Sequence, residues 1–138
     1  EARKPEAGTA ARRSLRVLVV EDNALNQAMV ARMLQALGHQ AEVAGDGLTA
    51  VERACRERFD AILMDIRLPG IDGLEAARRL RAAGCATPVL ALSANVYESD
   101  RAEAEAAGMN AFLGKPLHLD ELREALDHLA DEGGSGAG

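Results

Sequence analysis

The sequence predicts a doubly wound α/β sandwich around one five-stranded parallel sheet. Five short apolar runs of strand length alternate with five stretches of helical periodicity between Leu15 and Ala130. The runs are continuously apolar, as in strands buried on both faces, and Gly-, Pro-, Asn- or Asp-containing turns separate them. No internal repeat is present, and right-handed crossovers are expected throughout.

The elements follow in order. Residues 1–14 are polar, with Pro5, Gly8 and four basic residues, and read as a flexible N-terminal linker. Leu15 to Val20 is a buried strand ending abruptly in Glu21-Asp22-Asn23. From Ala24 to Leu37, the side chains of Leu25, Met29, Val30, Met33, Leu34 and Leu37 are expected on one helical face, with Gly38 as the stop. Gln40 to Ala44 is a weaker strand, and Gly45-Asp46-Gly47 turns the chain into a helix from about Leu48 to Arg58. Ala61 to Met64 is the central strand, with Asp65 immediately after it, and Pro69, Gly70 and Gly73 then break the chain. A helix from about Gly73 to Ala83 ends at Gly84. Thr87 to Leu92 is a fourth strand, ended by Ser93-Ala94-Asn95. Tyr97 to Ala107 is helical, with Tyr97 its single large anchor, and Asn110 to Leu113 is a fifth strand before Gly114-Lys115-Pro116. Leu119, Leu122, Leu126 and Leu129 mark a last amphipathic helix, and residues 131–138, with four glycines, read as a flexible tail. The single domain is therefore expected over residues 15–130.

Composition narrows the function classes. No apolar run approaches the ~20 residues of a membrane span, and the N-terminus has no signal-peptide region. A formal charge of −6 argues against nucleic acid as a direct ligand. Cys55 and Cys85 lack a C-x-x-C pattern and are expected to be buried free thiols in a cytoplasmic protein. His39, His118 and His128 share no metal-ligand spacing and read as surface or helix-terminal residues.

In a doubly wound sheet the ligand site lies beyond the carboxyl ends of the strands. Placed there are Glu21 and Asp22 after the first strand, Asp65 after the third, Ser93 after the fourth and Lys115 after the fifth. Each has a plain reading of its own: turn acids, a turn or cap serine, a surface lysine. Together they are three carboxylates, one hydroxyl and one amine on one edge. Like-charged carboxylates ~4 Å apart repel by about 4 kcal/mol at an effective dielectric near 20. Such a cluster either raises its pKa values or holds a cation. All-oxygen ligands favour Mg²⁺, or Mn²⁺, which keeps waters that a phosphate can displace. Beside a metal, Asp65 has the chemistry of a carboxylate nucleophile toward a phosphoryl group, with Lys115 and Ser93 stabilising the transferring oxygens.

With those residues in place, the chain closely resembles the receiver domain of two-component response regulators. The resemblance covers about Leu15 to Ala130 and rests on a set of motifs. They are Val19-Val20-Glu21-Asp22-Asn23, Asp60-x-x-x-Met64-Asp65-x-x-Leu68-Pro69-x-x-Asp72-Gly73, Leu92-Ser93-Ala94 and Phe112-Leu113-Gly114-Lys115-Pro116. The resemblance implies a flavodoxin-like (βα)5 fold with strand order 2-1-3-4-5. It implies Asp65 as phosphoacceptor, with Asp22, Asp65 and the backbone carbonyl of Arg67 ligating Mg²⁺ and Glu21 acting through water. Ser93 and Lys115 would bind phosphoryl oxygens, Ser93 and Phe112 would form the switch, and the Lys115–Pro116 bond would be cis. Arg67 and Asn95 occupy positions that tune phosphoryl lifetime in the family. The response face would comprise the Tyr97–Ala107 helix, the fifth strand and the last helix.

Glu21-Asp22-Asn23-x-x-Asn26-Gln27 and Gly108-Met109-Asn110-Ala111-Phe112 look most like receivers attached to hybrid sensor histidine kinases. The implied donor is a phosphohistidine on a histidine kinase or histidine phosphotransfer domain, and the domain is expected to be a monomer or weak dimer. A stand-alone regulator is the other arrangement. Two further readings stay open: a metabolic phosphatase or phosphotransferase of similar topology, and a phosphate-independent docking module. The first typically carries a second acid where Arg67 stands, and the second usually loses an acid or the lysine, all of which this chain keeps. A dinucleotide site is disfavoured because the first strand leads into Glu-Asp-Asn rather than G-x-G-x-x-G.

Overall fold

The computed structural model describes residues 14–94 and 98–137, with 98–100 and 130–137 as backbone only. The elements alternate as β1 (Arg16–Val20), α1 (Ala24–Ala36), β2 (Gln40–Ala44), α2 (Gly47–Arg56) and β3 (Ala61–Asp65). They continue as α3 (Gly73–Ala82), β4 (Val89–Ser93), α4 (Glu98–Ala106), β5 (Ala111–Gly114) and α5 (Leu119–Ala137). All pairings are parallel and the sheet order is β2-β1-β3-β4-β5. The carboxyl ends of β1, β3, β4 and β5 thus come to one edge, as the sequence predicts.

Alternate residues of each strand face opposite sides. Leu18, Val20, Ile62 and Met64 enter one core with Ala50, Ala77 and Leu80 from α2 and α3. Val17, Val19, Leu63, Leu90 and Leu92 enter the other with Val30 and Leu34 from α1 and Leu122 and Leu126 from α5. The strands β3 and β4 are buried at every residue, which explains their uninterrupted apolar runs. The helices α1, α2 and α3 start on side-chain caps: Asn23 accepts from the Asn26 amide at 3.0 Å, Asp46 from Thr49 at 2.7 Å and Asp72 from Glu75 at 2.9 Å.

Two expectations need correction. Leu25 is 78% exposed and Met29 44% exposed, so neither joins the buried face of α1. That face is Val30 and Leu34, flanked by Met33 and Leu37, and at about 100° per residue Leu25 and Met29 are rotated away from it. Cys55, expected to be buried, is exposed, and Cys85 is half-buried. The helix α5 extends as far as Ala137. Gly133, Gly134 and Gly136 each cost that helix about 1 kcal/mol relative to alanine, but no proline interrupts the hydrogen-bond ladder after Pro116. The expectations for residues 1–13, Asn95 and Tyr97 lie outside the described residues. The described side chains of α4 bury only Ala104, with Ala107 and Met109 just beyond its end, so its hold on the sheet is slight.

Two polar arrangements tie the amino-terminal end of the sheet. In the first, Arg16 binds Glu42 and Glu57, each at 2.6 Å, while Arg53 binds Glu57 at 2.9 Å and also Glu42. Both guanidinium groups stack over Phe59, at 4.3 and 5.5 Å from its ring centroid. Hydrogen bonds from Arg53 and then Arg16 depress the Glu57 carboxyl from its ordinary 4.5 to about 2. Those from Arg16 and then Arg53 also lower Glu42. A carboxyl depressed in the folded state stabilises above its unfolded pKa, and that contribution fades as pH falls through the folded one. Glu57→Gln is therefore expected to be less stable than the parent at pH 6, with the gap closing between about pH 4.5 and 2. Urea unfolding of both proteins across that range checks it. In the second arrangement, Arg81 uses all five N–H donors: Nε and Nη2 on the Gly108 carbonyl, Nη2 on Asn110 Oδ1, and Nη1 on the Cys85 and Thr87 carbonyls. Its Cγ stands 2.7 Å from where a Gly108 Cβ would be, at φ +96°, so only glycine fits there.

Candidate phosphoacceptor and metal site

The end of β3 delivers Asp65 into the notch at the sheet's carboxyl edge. Its side chain is almost fully enclosed, because Ile62 to Ile66 are all buried around it. Lys115 follows β5, where its backbone amide donates to the Ser93 carbonyl at 2.9 Å. The ammonium then reaches across the edge to Asp65 Oδ2 at 2.7 Å and Glu21 Oε2 at 3.0 Å. The other Asp65 oxygen, Oδ1, accepts the backbone amide of Arg67 at 2.9 Å. The notch therefore holds each oxygen of Asp65 in a separate hydrogen bond.

Glu21 is 1% exposed and Ser93 also 1%, whereas Asp22 and Arg67 are exposed. Glu21 Oε1 accepts the Asn23 amide at 3.3 Å, and Gln27 Nε2 donates to the Glu21 carbonyl at 2.6 Å, locking the turn after β1. The Lys115–Pro116 bond is cis, as expected. Phe112 is half-buried against the α2–α3 core, with the Arg101 guanidinium 5.2 Å from its ring centroid.

Carboxylate oxygens of Glu21, Asp22 and Asp65 lie within 4.8 Å of one another. Three carboxylates face one ammonium, so the donor set is electrostatically incomplete and suits a hard divalent cation. The exposed Asp22 leaves one side open, which fits an ion that keeps several waters. Burial alone would lower the Lys115 ammonium, but hydrogen bonds to Asp65 and Glu21 outweigh it and hold the group above its ordinary value. Removing that cation leaves two buried carboxylates facing each other. Lys115→Met is expected to lose about 2 kcal/mol of stability, read by urea unfolding in the presence of EDTA.

Glu21, Asp22, Asp65, Ser93 and Lys115 all stand where their strands predict. Arg67 is adjacent through its backbone, with its side chain outward. Sequence reasoning missed the contributions of Gln27 and of the backbone amides of Asn23 and Arg67, since a main-chain donor leaves no trace in residue type. It also missed the tight approach of Gly73, where an added Cβ would meet the Asp65 carbonyl oxygen at 2.4 Å.

A parallel sheet in this order, with acids after β1 and β3 and a lysine after β5, is the architecture of a signalling receiver. The chain matches the response regulator receiver domain over residues 17–127 and belongs to that family, which serves two-component and phosphorelay signalling. It is 42% identical over 117 residues to the sensor histidine kinase AruS of Pseudomonas aeruginosa, covering 82% of this chain and 12% of that protein. The chain spans about a tenth of the length of the curated sensor-kinase relatives it matches. Among solved structures, the receiver domain of the sensor histidine kinase PA1611 from the same organism is 43% identical, with a TM-score of 0.78. That alignment covers 85% of this chain and 98% of that one, and in that structure a magnesium ion is coordinated in the active-site cleft. A chain from the Saccharomyces cerevisiae complex of the histidine phosphotransfer protein Ypd1 with the receiver domain of its downstream regulator Ssk1 is 29% identical. Its TM-score is 0.76, with 82% of this chain and 86% of that one covered.

Proposed function

We propose that Asp65 accepts a phosphoryl group from a phosphohistidine on a histidine kinase or histidine phosphotransfer domain. The observation that carries this reading is the enclosed Asp65 carboxylate, held by Lys115 at 2.7 Å and by the Arg67 amide at 2.9 Å beside Glu21 and Asp22. One Asp65 oxygen attacks phosphorus while the phosphorus–nitrogen bond to the donor imidazole breaks, giving an aspartyl phosphate. Lys115 and the Ser93 hydroxyl then take the phosphoryl oxygens. Asp22, Asp65 and the Arg67 backbone carbonyl would hold Mg²⁺, or Mn²⁺, with Glu21 acting through water. The ion supplies charge neutralisation for the transferring oxygens.

The relatives' composition supports a receiver, at about residues 15–130, within a hybrid histidine kinase. We place it in the cytoplasm as a monomer or weak dimer. No described helix is long and apolar enough to cross a membrane, and the net charge of −6 disfavours direct nucleic-acid contact. Output would pass through α4, β5 and α5, with Ser93 moving inward and Phe112 turning from partial to full burial. A groove of about 820 Å³ along that side begins at Lys115 and includes Arg101, Phe112, His118 and Glu121.

Incubation of the chain with acetyl phosphate and Mg²⁺ is expected to add one phosphoryl group by intact mass, and none in EDTA. A folded chain with no adduct, and no amide spectral change on beryllofluoride, would replace this reading with the phosphate-independent docking module.

A further inference from the structure

Both cysteines stand at the amino-terminal end of the sheet, opposite the acid cluster. Cys55 is exposed in the last turn of α2, which ends at Arg56, and Cys85 is half-buried in the loop before β4. They line one groove of about 460 Å³ together with Ala54, Arg58, Gly84 and Thr87. Cys85 Sγ lies 3.8 Å from the Ala54 carbonyl oxygen and 3.4 Å from Thr87 Oγ1. That carbonyl belongs to the peptide unit leading into Cys55, so the half-buried sulfur already rests against the backbone that carries the exposed one.

The two sides of the groove are held differently. Arg81 clamps the Cys85 side through the Cys85 and Thr87 carbonyls at 2.9 and 2.8 Å. The Cys55 side is the last turn of α2, and Glu57 just beyond it is held by Arg16 and Arg53. A disulfide needs its Cα atoms within roughly 7 Å, so closure requires the last turn of α2 to carry Cys55 toward Cys85. Exposed Arg56 and Arg58 on the rim offer cations to an anionic reactant, while Glu57 is already occupied by Arg16 and Arg53.

We propose that Cys55 and Cys85 are a thiol pair that closes to an intramolecular disulfide by exchange with a low-molecular-weight disulfide of the glutathione type. The Cys55 thiolate attacks first. A protein–glutathione S–S bond forms, the glutathione disulfide breaks, and one glutathione leaves as thiolate and takes a proton. The Cys85 thiolate then attacks the Cys55 sulfur, expelling the second glutathione. The protein loses two hydrogens and two electrons, and one glutathione disulfide becomes two thiols. The bridge fastens the end of α2 to the loop before β4.

The test is incubation of the folded full chain with oxidised glutathione, an acid quench, intact mass and peptide mapping. The expected result is loss of two hydrogens, disappearance of both titratable thiols and one linked peptide pair containing Cys55 and Cys85. Cys85→Ser is expected to stop at a glutathione adduct on Cys55, and Cys55→Ser to stay largely unmodified over the same time. A parent chain left with glutathione on Cys55 and a free Cys85 overturns the proposal. So does one that reacts only by dimerising through Cys55, or one that does not react.

Discussion

Asp65→Asn is expected to abolish the phosphoryl adduct outright while leaving the chain folded. A carboxamide matches the carboxylate in shape but is a very poor nucleophile toward phosphorus. The scaffold around it has little reason to move. The Arg67 amide still finds an oxygen at the Oδ1 position, and Lys115 keeps Glu21 at 3.0 Å. Charge effects oppose each other: the substitution removes an ion pair at 2.7 Å and also relieves repulsion among three clustered acids. At ~4 Å that repulsion is about 4 kcal/mol per pair, comparable with the attraction lost, so the change in unfolding free energy is expected to be about 1 kcal/mol or less. Intact mass after acetyl phosphate treatment and a urea titration give the two readouts. An adduct that survives on the variant would move the acceptor to another acid.

Gly73→Ala is expected to damage both stability and the site. The new methyl would stand 2.4 Å from the Asp65 carbonyl oxygen and 2.9 Å from Ile66 Cα. Both are backbone atoms, one at the end of β3 and one just past it, and neither can turn aside as a flexible side chain would. The Gly73 amide also donates to the Ile66 carbonyl at 2.8 Å, closing the turn on itself. Either α3 retreats from the sheet or the end of β3 bends. Overpacking of this kind costs about 3 kcal/mol. A lowered urea midpoint together with slower acetyl phosphate labelling is the expected pair of results. An alanine variant with parental stability and labelling would show that the turn has slack the geometry does not suggest.

The strands and the candidate site were legible for one reason: they share an edge. Continuous apolar runs such as Ile62-Leu63-Met64 occur because β3 is buried on both faces, and the polar residue ending each run then falls at a strand end. Glu21, Asp65, Ser93 and Lys115 follow from that rule alone. What stayed hidden depends on three-dimensional context that residue type does not carry. Leu25 and Met29 keep the period of a buried stripe, yet nothing in periodicity says how far round α1 the sheet reaches. The Arg16–Glu42–Arg53–Glu57 square joins residues separated by up to 41 positions, and no local pattern announces it.

Arg81 has a mechanical consequence. Because its guanidinium is fully engaged at Gly108, Asn110, Cys85 and Thr87, the chain just past α4 is moored to α3 and to the start of β4. The opposite tip of α4 begins at Glu98. A helix fastened at one end and lightly held along its length behaves as a lever with its fulcrum near Gly108. A displacement of the backbone at that tip would be a swing about Gly108 rather than a slide of the whole rod. The angle presented to a partner would change most where α4 begins and hardly at all where it ends.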